Sequence, residues 1–155
     1  MKKPKVIQFP VNNICNSRCQ MCDIWQQRKG HEITPLELRN VLKDPLFSEV
    51  TGVGMNGGEP TLRADLADLA RELCHSLPKL RGISLITNGL KPNLVIPRAT
   101  ELYSITQKAG VKLDIMLSLD GVRDVHDRVR GRRGNFSAVE ECLDFFRSNQ
   151  IGDTH

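Results

Sequence analysis

Four short apolar runs, each followed by a longer stretch with helical periodicity, constrain the fold of this chain more than any other feature. The runs lie at residues 6–11, 50–55, 83–87 and 112–119. They are mostly apolar without strict alternation, which is typical of strands that are buried on both faces. The segments between them are long enough for the crossovers that parallel strands require. The order therefore predicts an α/β protein whose parallel sheet is built from four βα units.

The segments between the runs carry helix signals. The sequence TPLE opens a predicted helix over residues 34–43 with an N-cap, a first-turn proline and a capping-box glutamate. Apolar residues recur at helical spacing over residues 64–77 and 99–109, and the segment that ends at Pro97 reads as a loop. A Ser-x-x-Glu pattern predicts that the last helix is capped by Ser137.

Three cysteines follow the first apolar run with the spacing C-x3-C-x2-C, at Cys15, Cys19 and Cys22. Thiolates this close on one loop can surround a soft metal centre, and zinc and iron–sulfur clusters are the usual occupants. A structural zinc site needs four ligands, and His31 is the candidate for the fourth because no second cysteine pair follows. Three cysteines on a four-iron cluster instead leave one iron open to a small molecule. The pattern favours a reactive centre and leaves zinc as the alternative.

The composition fits one globular domain over residues 1–155 and argues against several classes of protein. Hydrophobic residues make up 39% and charged residues 26%, and the net charge of +4 comes from scattered basic residues rather than a nucleic-acid-binding stripe. No apolar run is long enough for a membrane helix or a signal peptide, so we expect a cytoplasmic protein. Five cysteines, an odd number, suit a metal site in a reducing compartment, and Cys74 and Cys142 read as core residues.

The cysteine motif and two further motifs resemble the radical S-adenosylmethionine (radical SAM) superfamily. GGEP at residues 57–60 follows the second run, and SLDG at 118–121, HD at 126–127 and RG at 130–131 follow the fourth. The last group of motifs resembles the branch that modifies peptides or builds cofactors. The resemblance implies a partial TIM-like parallel barrel of six βα units. Four of them are present here, so we expect an N-terminal portion that is truncated before the fifth strand.

The resemblance also implies the cofactors and their ligands. A 4Fe-4S cluster would be held by the three cysteines, and S-adenosylmethionine would bind its open iron and be cleaved by one electron to a 5′-deoxyadenosyl radical. That radical would abstract hydrogen from a substrate. The implied cofactor-binding residues are Gly57, Gly58, Glu59, Asn88, Ser118, Asp120 and Arg130.

The chemistry of these side chains and turns suits contacts with S-adenosylmethionine. Gly57 and Gly58 permit a turn whose carbonyls approach the amino group of the cofactor, and the Glu59 carboxylate is a further acceptor. Ser118 matches a family position that hydrogen-bonds the ribose or the methionyl end. Arg130 matches an arginine whose guanidinium reaches the carboxylate of the cofactor.

Several neighbouring residues have two interpretations. Asn88 is either part of the pocket wall or an ordinary turn residue. Asp120 lies two residues beyond Ser118, and His126 and Asp127 either transfer protons or brace a loop. Met21 stands where the family often has an aromatic residue near the adenine, and methionine also packs on aromatic rings.

Partners follow from the resemblance alone. We expect a peptide or small-molecule substrate, an electron donor such as a flavodoxin or ferredoxin, and neither nucleic acid nor membrane. One alternative is a non-catalytic module that binds zinc or a structural cluster on a half-barrel scaffold. Another is a half-barrel that assembles the cluster but cleaves S-adenosylmethionine poorly.

Overall fold

A computed structural model describes residues 2–155 as one five-stranded parallel sheet flanked by helices. The strands are β1 (Val6–Asn12), β2 (Gly52–Gly57), β3 (Gly82–Thr87), β4 (Lys112–Leu117) and β5 (Asp153–Thr154). Their order in the sheet is the order in the chain, and every neighbouring pair is parallel. The predicted α/β class and parallel sheet are confirmed, and the topology is that of a partial TIM-like barrel.

The prediction placed the end of the chain before a fifth strand, and the structure contains a short fifth strand. Asp153 and Thr154 pair with Asp114 and Ile115 of β4. A strand of two residues is too short to show a hydrophobic pattern, so the sequence carries no sign of it.

Five α-helices connect or follow the strands. They are α1 (Pro35–Leu42), α2 (Leu66–Ser76), α3 (Pro92–Lys108), α4 (Asp124–Arg130) and α5 (Asn135–Ser148). The capping box of α1 is present as predicted, with Thr34 and Glu37 exchanging side-chain and backbone hydrogen bonds. No helix within residues 2–155 is both long and apolar enough to span a bilayer.

One hydrophobic core lies between the sheet and the helices. Strand residues such as Met55, Leu85 and Ile115 are fully buried in it, together with Leu102 of α3 and Phe146 of α5. Cys142 belongs to this core and Cys74 packs against it, in agreement with the interpretation of both as core residues. The core therefore fixes the strands from one side and leaves their carboxyl ends free to carry loops.

The third helix begins earlier than predicted. α3 starts at Pro92 and includes Pro97, which the sequence analysis placed in a loop. A proline inside a helix removes one backbone hydrogen bond. Burial of Val95, Ala99 and Leu102 on one face of the helix offsets that loss. A prediction made from proline alone does not include this burial.

The fourth and fifth helices were also missed or displaced. The sequence analysis predicts no helix over residues 124–130, where α4 lies, and α5 begins at Asn135 rather than behind a Ser137 cap. The first amides of α5 are held instead by the carboxylate of Asp127, whose Oδ1 accepts from the Phe136 N–H at 2.8 Å. Its Oδ2 accepts from the Gly134 N–H. Because this cap comes from a separate helix, no pattern of neighbouring residues in α5 predicts it.

A pair of leucine substitutions tests which contacts hold the fold together. Leu102→Ala removes a fully buried side chain, and we expect a loss of about 2–5 kcal/mol in the free energy of unfolding. Leu36→Ala makes the same chemical change at a side chain that is 64% exposed, with an expected effect within about 0.5 kcal/mol. Urea unfolding of both variants measures the difference, and equal losses would contradict this description of the core.

Candidate functional site

The three cysteines lie together on one cavity of about 210 Å³ at the carboxyl ends of the strands. Of the predicted cofactor-binding residues, the cavity is lined by Gly57, Gly58, Asn88, Ser118 and Arg130. Parallel strands end at the same edge of a sheet, which explains how loops far apart in sequence meet here. A larger cavity of about 530 Å³, bordered by Tyr103 and Phe146, contains none of these residues.

The cysteine sulfurs have nitrogen donors directed at them. The Asn88 amide donates to Cys15 Sγ at 3.6 Å, and Arg130 Nη1 donates to Cys19 Sγ at 3.7 Å. Burial raises the pKa of the Cys15 thiol, and hydrogen bonds from the backbone of Ser17 and from Asn88 act in the opposite direction. The cysteines are free thiols. Hydrogen bonds of this kind stabilise thiolate ligands and tune iron–sulfur clusters.

Glycine is required at the end of β2 because two segments cross there. Gly58 donates its N–H to the Asn12 carbonyl at 3.0 Å, and Gly57 has a φ of 138°. A Cβ on Gly57 would collide with the backbone of Asn12, and one on Gly58 would collide with the backbone of Ile14. The glycine turn therefore lies directly against the start of the cysteine loop.

Glu59 is buried, and both of its carboxylate oxygens accept hydrogen bonds from neighbouring residues. Oε1 accepts from the Thr61 hydroxyl at 2.6 Å and from the Thr87 hydroxyl at 2.7 Å, and Oε2 accepts from the Asn88 N–H at 2.7 Å. Glu59 is not among the residues that line the cavity. In this structure the side chain joins the end of β2 to the end of β3, and its predicted contact with an amino group stays a prediction.

Asp120 lies behind Arg130 rather than on the cavity wall. Its Oδ2 forms an ion pair with Arg130 Nε, and its backbone N–H donates to His126 Nδ1 at 3.1 Å. Burial, followed by the positive charge of Arg130, lowers the pKa of His126. The Nδ1 atom accepts a hydrogen bond from a backbone N–H, so that nitrogen carries no proton. Together with the Asp127 contacts, this favours bracing over proton transfer for the HD pair.

Three cysteines and a buried hydroxyl without a partner in the described part of the chain lie on one cavity and fit a bound iron–sulfur cluster. Within residues 2–155, no three Cys, His, Asp or Glu side chains converge on one ion position. His31 forms a 3.4 Å pair with Glu37 and lies outside the cavity. A four-iron cluster separates its thiolates more widely than one ion does. Ser17, which lines the cavity, has a buried hydroxyl with no hydrogen-bond partner among the described residues, so it is available to a bound group.

Comparison with known proteins identifies the family. A sequence model described as the Radical SAM superfamily matches residues 9–155. The chain belongs to the radical SAM superfamily. Members of this superfamily are enzymes, and they use a 4Fe-4S cluster and S-adenosylmethionine.

Curated relatives include a nucleotide cyclase and a maturase. The chain is 29% identical to the GTP 3′,8-cyclase of Moorella thermoacetica over 86% of its own length and 40% of the cyclase. It is 26% identical to the mycofactocin maturase MftC of Mycolicibacterium smegmatis, over 91% of the chain and 34% of the maturase. The chain thus spans well under half the length of either protein.

Solved structures of one relative share the fold. SuiB of Streptococcus suis bound to its precursor peptide SuiA has a TM-score of 0.71 at 18% identity, over 97% of this chain and 31% of SuiB. SuiB bound to S-adenosylmethionine has a TM-score of 0.66 at 17% identity, over 98% of this chain and 40% of SuiB. At these identities the likeness establishes the fold.

Some cavity residues were not predicted from the sequence. They are Ser17, Ile24, Asn56, Ile86 and Thr87. Asn56 directly precedes the glycine turn, and Ile86 and Thr87 end β3, so the position of each at a strand end was an available sign. Ser17 and Ile24 lie within and after the cysteine motif, where residue type alone indicates no role.

The buried hydrogen bonds of Glu59 lead to a stability prediction. Glu59→Gln replaces an oxygen acceptor with an NH2 donor, so one of the donors from Thr61, Thr87 or Asn88 loses its partner. We expect a loss of about 1–3 kcal/mol in the free energy of unfolding. Glu140→Gln, the same change at an exposed site on α5, is the matched control. Denaturant unfolding of the metal-free chain with equal midpoints for both variants would contradict the bracing role.

The Asp127 cap predicts a pH-dependent effect. Backbone N–H donors of Phe136, and then of Gly134, lower the pKa of this carboxyl below its ordinary value of about 3.9. Its stabilising contribution is therefore fully present above that value and is lost as the pH falls through the lowered pKa. Asp127→Asn should destabilise the chain at pH 7, with a deficit that shrinks toward pH 3. The exposed control Asp144→Asn should show no such trend, and a deficit independent of pH would refute the cap.

Proposed function

We propose that this chain forms the cluster and cofactor site of a radical SAM enzyme that acts on a peptide or on a small cofactor precursor. The observation that supports it most is the meeting of Cys15, Cys19 and Cys22 with the glycine turn and Arg130 on one cavity. These residues are far apart in the sequence, and the fold brings them together. The family match over residues 9–155 supports the same assignment.

The three cysteines would hold the cluster through their sulfurs. Asn88 and Arg130 already direct N–H groups at two of those sulfurs, so donors are in place to compensate thiolate charge when a metal binds. Cys15 is half-buried and Cys19 is buried, which would limit the access of oxygen to a bound cluster. When bound, the cluster and S-adenosylmethionine supply one-electron chemistry that generates a carbon radical.

The remaining cavity residues would orient the cofactor. Carbonyl groups of the glycine turn at Gly57 and Gly58 accept from an ammonium group, and the guanidinium of Arg130 attracts a carboxylate. Arg130 is held for this task by Asp120. Ser118 adds a hydroxyl at the end of the strand, and Ile86 and Met21 supply apolar wall against which an adenine ring packs.

The substrate class rests on the relatives, and the electron donor rests on the family resemblance alone. One relative is named a maturase and another a cyclase that acts on GTP, and SuiB is bound to a precursor peptide. A peptide or a small precursor is therefore the substrate class we propose. A flavodoxin or ferredoxin is the proposed source of the electron, in a cytoplasmic enzyme.

Cleavage of S-adenosylmethionine tests the proposal directly. The anaerobically reconstituted, dithionite-reduced chain should release 5′-deoxyadenosine, measured by chromatography. Cys15→Ser, Cys19→Ser and Cys22→Ser should each lower the yield at least about 100-fold because the cluster loses a ligand. Cys74→Ser is the matched control, since that thiol lies on α2 outside the cavity, and it should retain the yield of the unmodified chain.

Two outcomes of this experiment would contradict the proposal. One is product formation that survives serine substitution of the three cysteines. The other is a folded chain that takes up zinc and no iron, which would favour a metal-binding module without catalytic activity.

A further inference from the structure

The C-terminal end of α4 is bonded to the cysteine loop on both sides of Cys19. The Arg18 N–H donates to the Arg130 carbonyl at 3.0 Å, and the Gln20 N–H donates to the Val129 carbonyl at 2.9 Å. The last carbonyls of a helix have no partner within the helix, so α4 has acceptors to offer. Cys19 therefore sits between two backbone amides that are held from a distant part of the chain.

Arg132 makes a third connection, close to Cys15. Its Nε donates to the Asn16 carbonyl at 2.6 Å, and the Asn16 side chain in turn accepts from the Asn88 amide at 2.8 Å. Asn16 follows Cys15 directly. A charged donor to a backbone carbonyl in a half-buried setting is a strong and directional contact.

Gly131 permits the close approach of these two segments. It ends α4 in the left-handed conformation with a φ of 64°, and a Cβ at this position would collide with the backbone carbonyl of Arg18. Gly110 ends α3 with nearly the same φ, 66°, and has no atom within 4 Å of its would-be Cβ. Gly110 and Gly131 thus share one backbone requirement, and of the two only Gly131 contacts the cysteine loop.

We propose that Gly131 and Arg132 are positioning residues that set the shape of the cysteine loop around Cys15 and Cys19 before any cluster binds. A loop of this length that carries three thiols loses conformational entropy when its sulfurs are gathered. Contacts from more than 100 residues away, such as the Arg130–Cys19 pair with a separation of 111, remove part of that loss when the domain folds. The consequence for cluster retention rests on the proposed function, whereas the shape of the metal-free loop does not.

Amide hydrogen exchange of the metal-free chain tests the positioning role. The amides of Arg18 and Gln20 should exchange about tenfold faster or more in both Gly131→Ala and Arg132→Gln. Gly131→Ala displaces the carbonyls that accept from these amides, and Arg132→Gln frees the neighbouring Asn16 carbonyl and so loosens the loop that carries them. Gly110→Ala carries the same backbone strain without contact to the loop, and Arg133→Gln removes an exposed neighbouring charge. Both controls should leave the exchange of these two amides unchanged. Arg132→Lys, which keeps one charged donor, should restore part of the protection.

A rise confined to the variants at Gly131 and Arg132 supports the proposal. If these amides exchange equally fast in Gly131→Ala and Gly110→Ala, Gly131 has no positioning role. If they exchange equally fast in Arg132→Gln and Arg133→Gln, Arg132 has none. Arg132→Gln leaves the backbone conformation unaltered and keeps the test valid if Gly131→Ala does not fold. Loss of iron to a chelator should also be faster in the two loop variants. A chain that shows the exchange pattern but assembles no cluster would contradict the proposed function and leave the positioning role intact.

Discussion

The buried carboxylate of Glu59 holds together the edge of the sheet on which the site is built. Its oxygens join the end of β2 to Thr87 and Asn88 at the end of β3, and its backbone carbonyl accepts from Asn12 at the end of β1. A buried carboxyl group is tolerated only when donors surround its oxygens. Because each donor comes from a strand end or its loop, the chain can satisfy Glu59 only by assembling this rim.

Two helices and a loop then depend on that rim. The Asn88 backbone N–H donates to Glu59, and its side-chain amide donates to Cys15 and Asn16. Asn88 therefore connects Glu59 to the cysteine loop. On the other side, α4 holds Cys19, and Asp127 joins α4 to α5. The cysteine loop is thus supported from the ends of β1 and β3 and from α4. A site held in this way is organised by the scaffold rather than by its ligand.

The sequence was sufficient for the features that are local in the chain. The alternation of strands and helices along the chain and the capping box at Thr34 each depend on neighbouring residues, and each is present in the structure. The short helix α4, the cap from Asp127 and the inward orientation of Glu59 depend on partners from other elements. A pattern of neighbouring residues does not contain this information. The GGEP motif therefore predicts only a contact of Glu59 with the cofactor, whereas the structure shows that Glu59 also joins β2 to β3.

We propose that the three cysteines on this rim hold a cluster with one iron open to S-adenosylmethionine. Electron paramagnetic resonance of the reconstituted, reduced chain measures this most directly, with spectra recorded before and after the cofactor is added. A 4Fe-4S signal that changes shape on addition of S-adenosylmethionine is the predicted result. A cluster signal that is identical in both spectra, or a folded chain that gives none, would contradict the account.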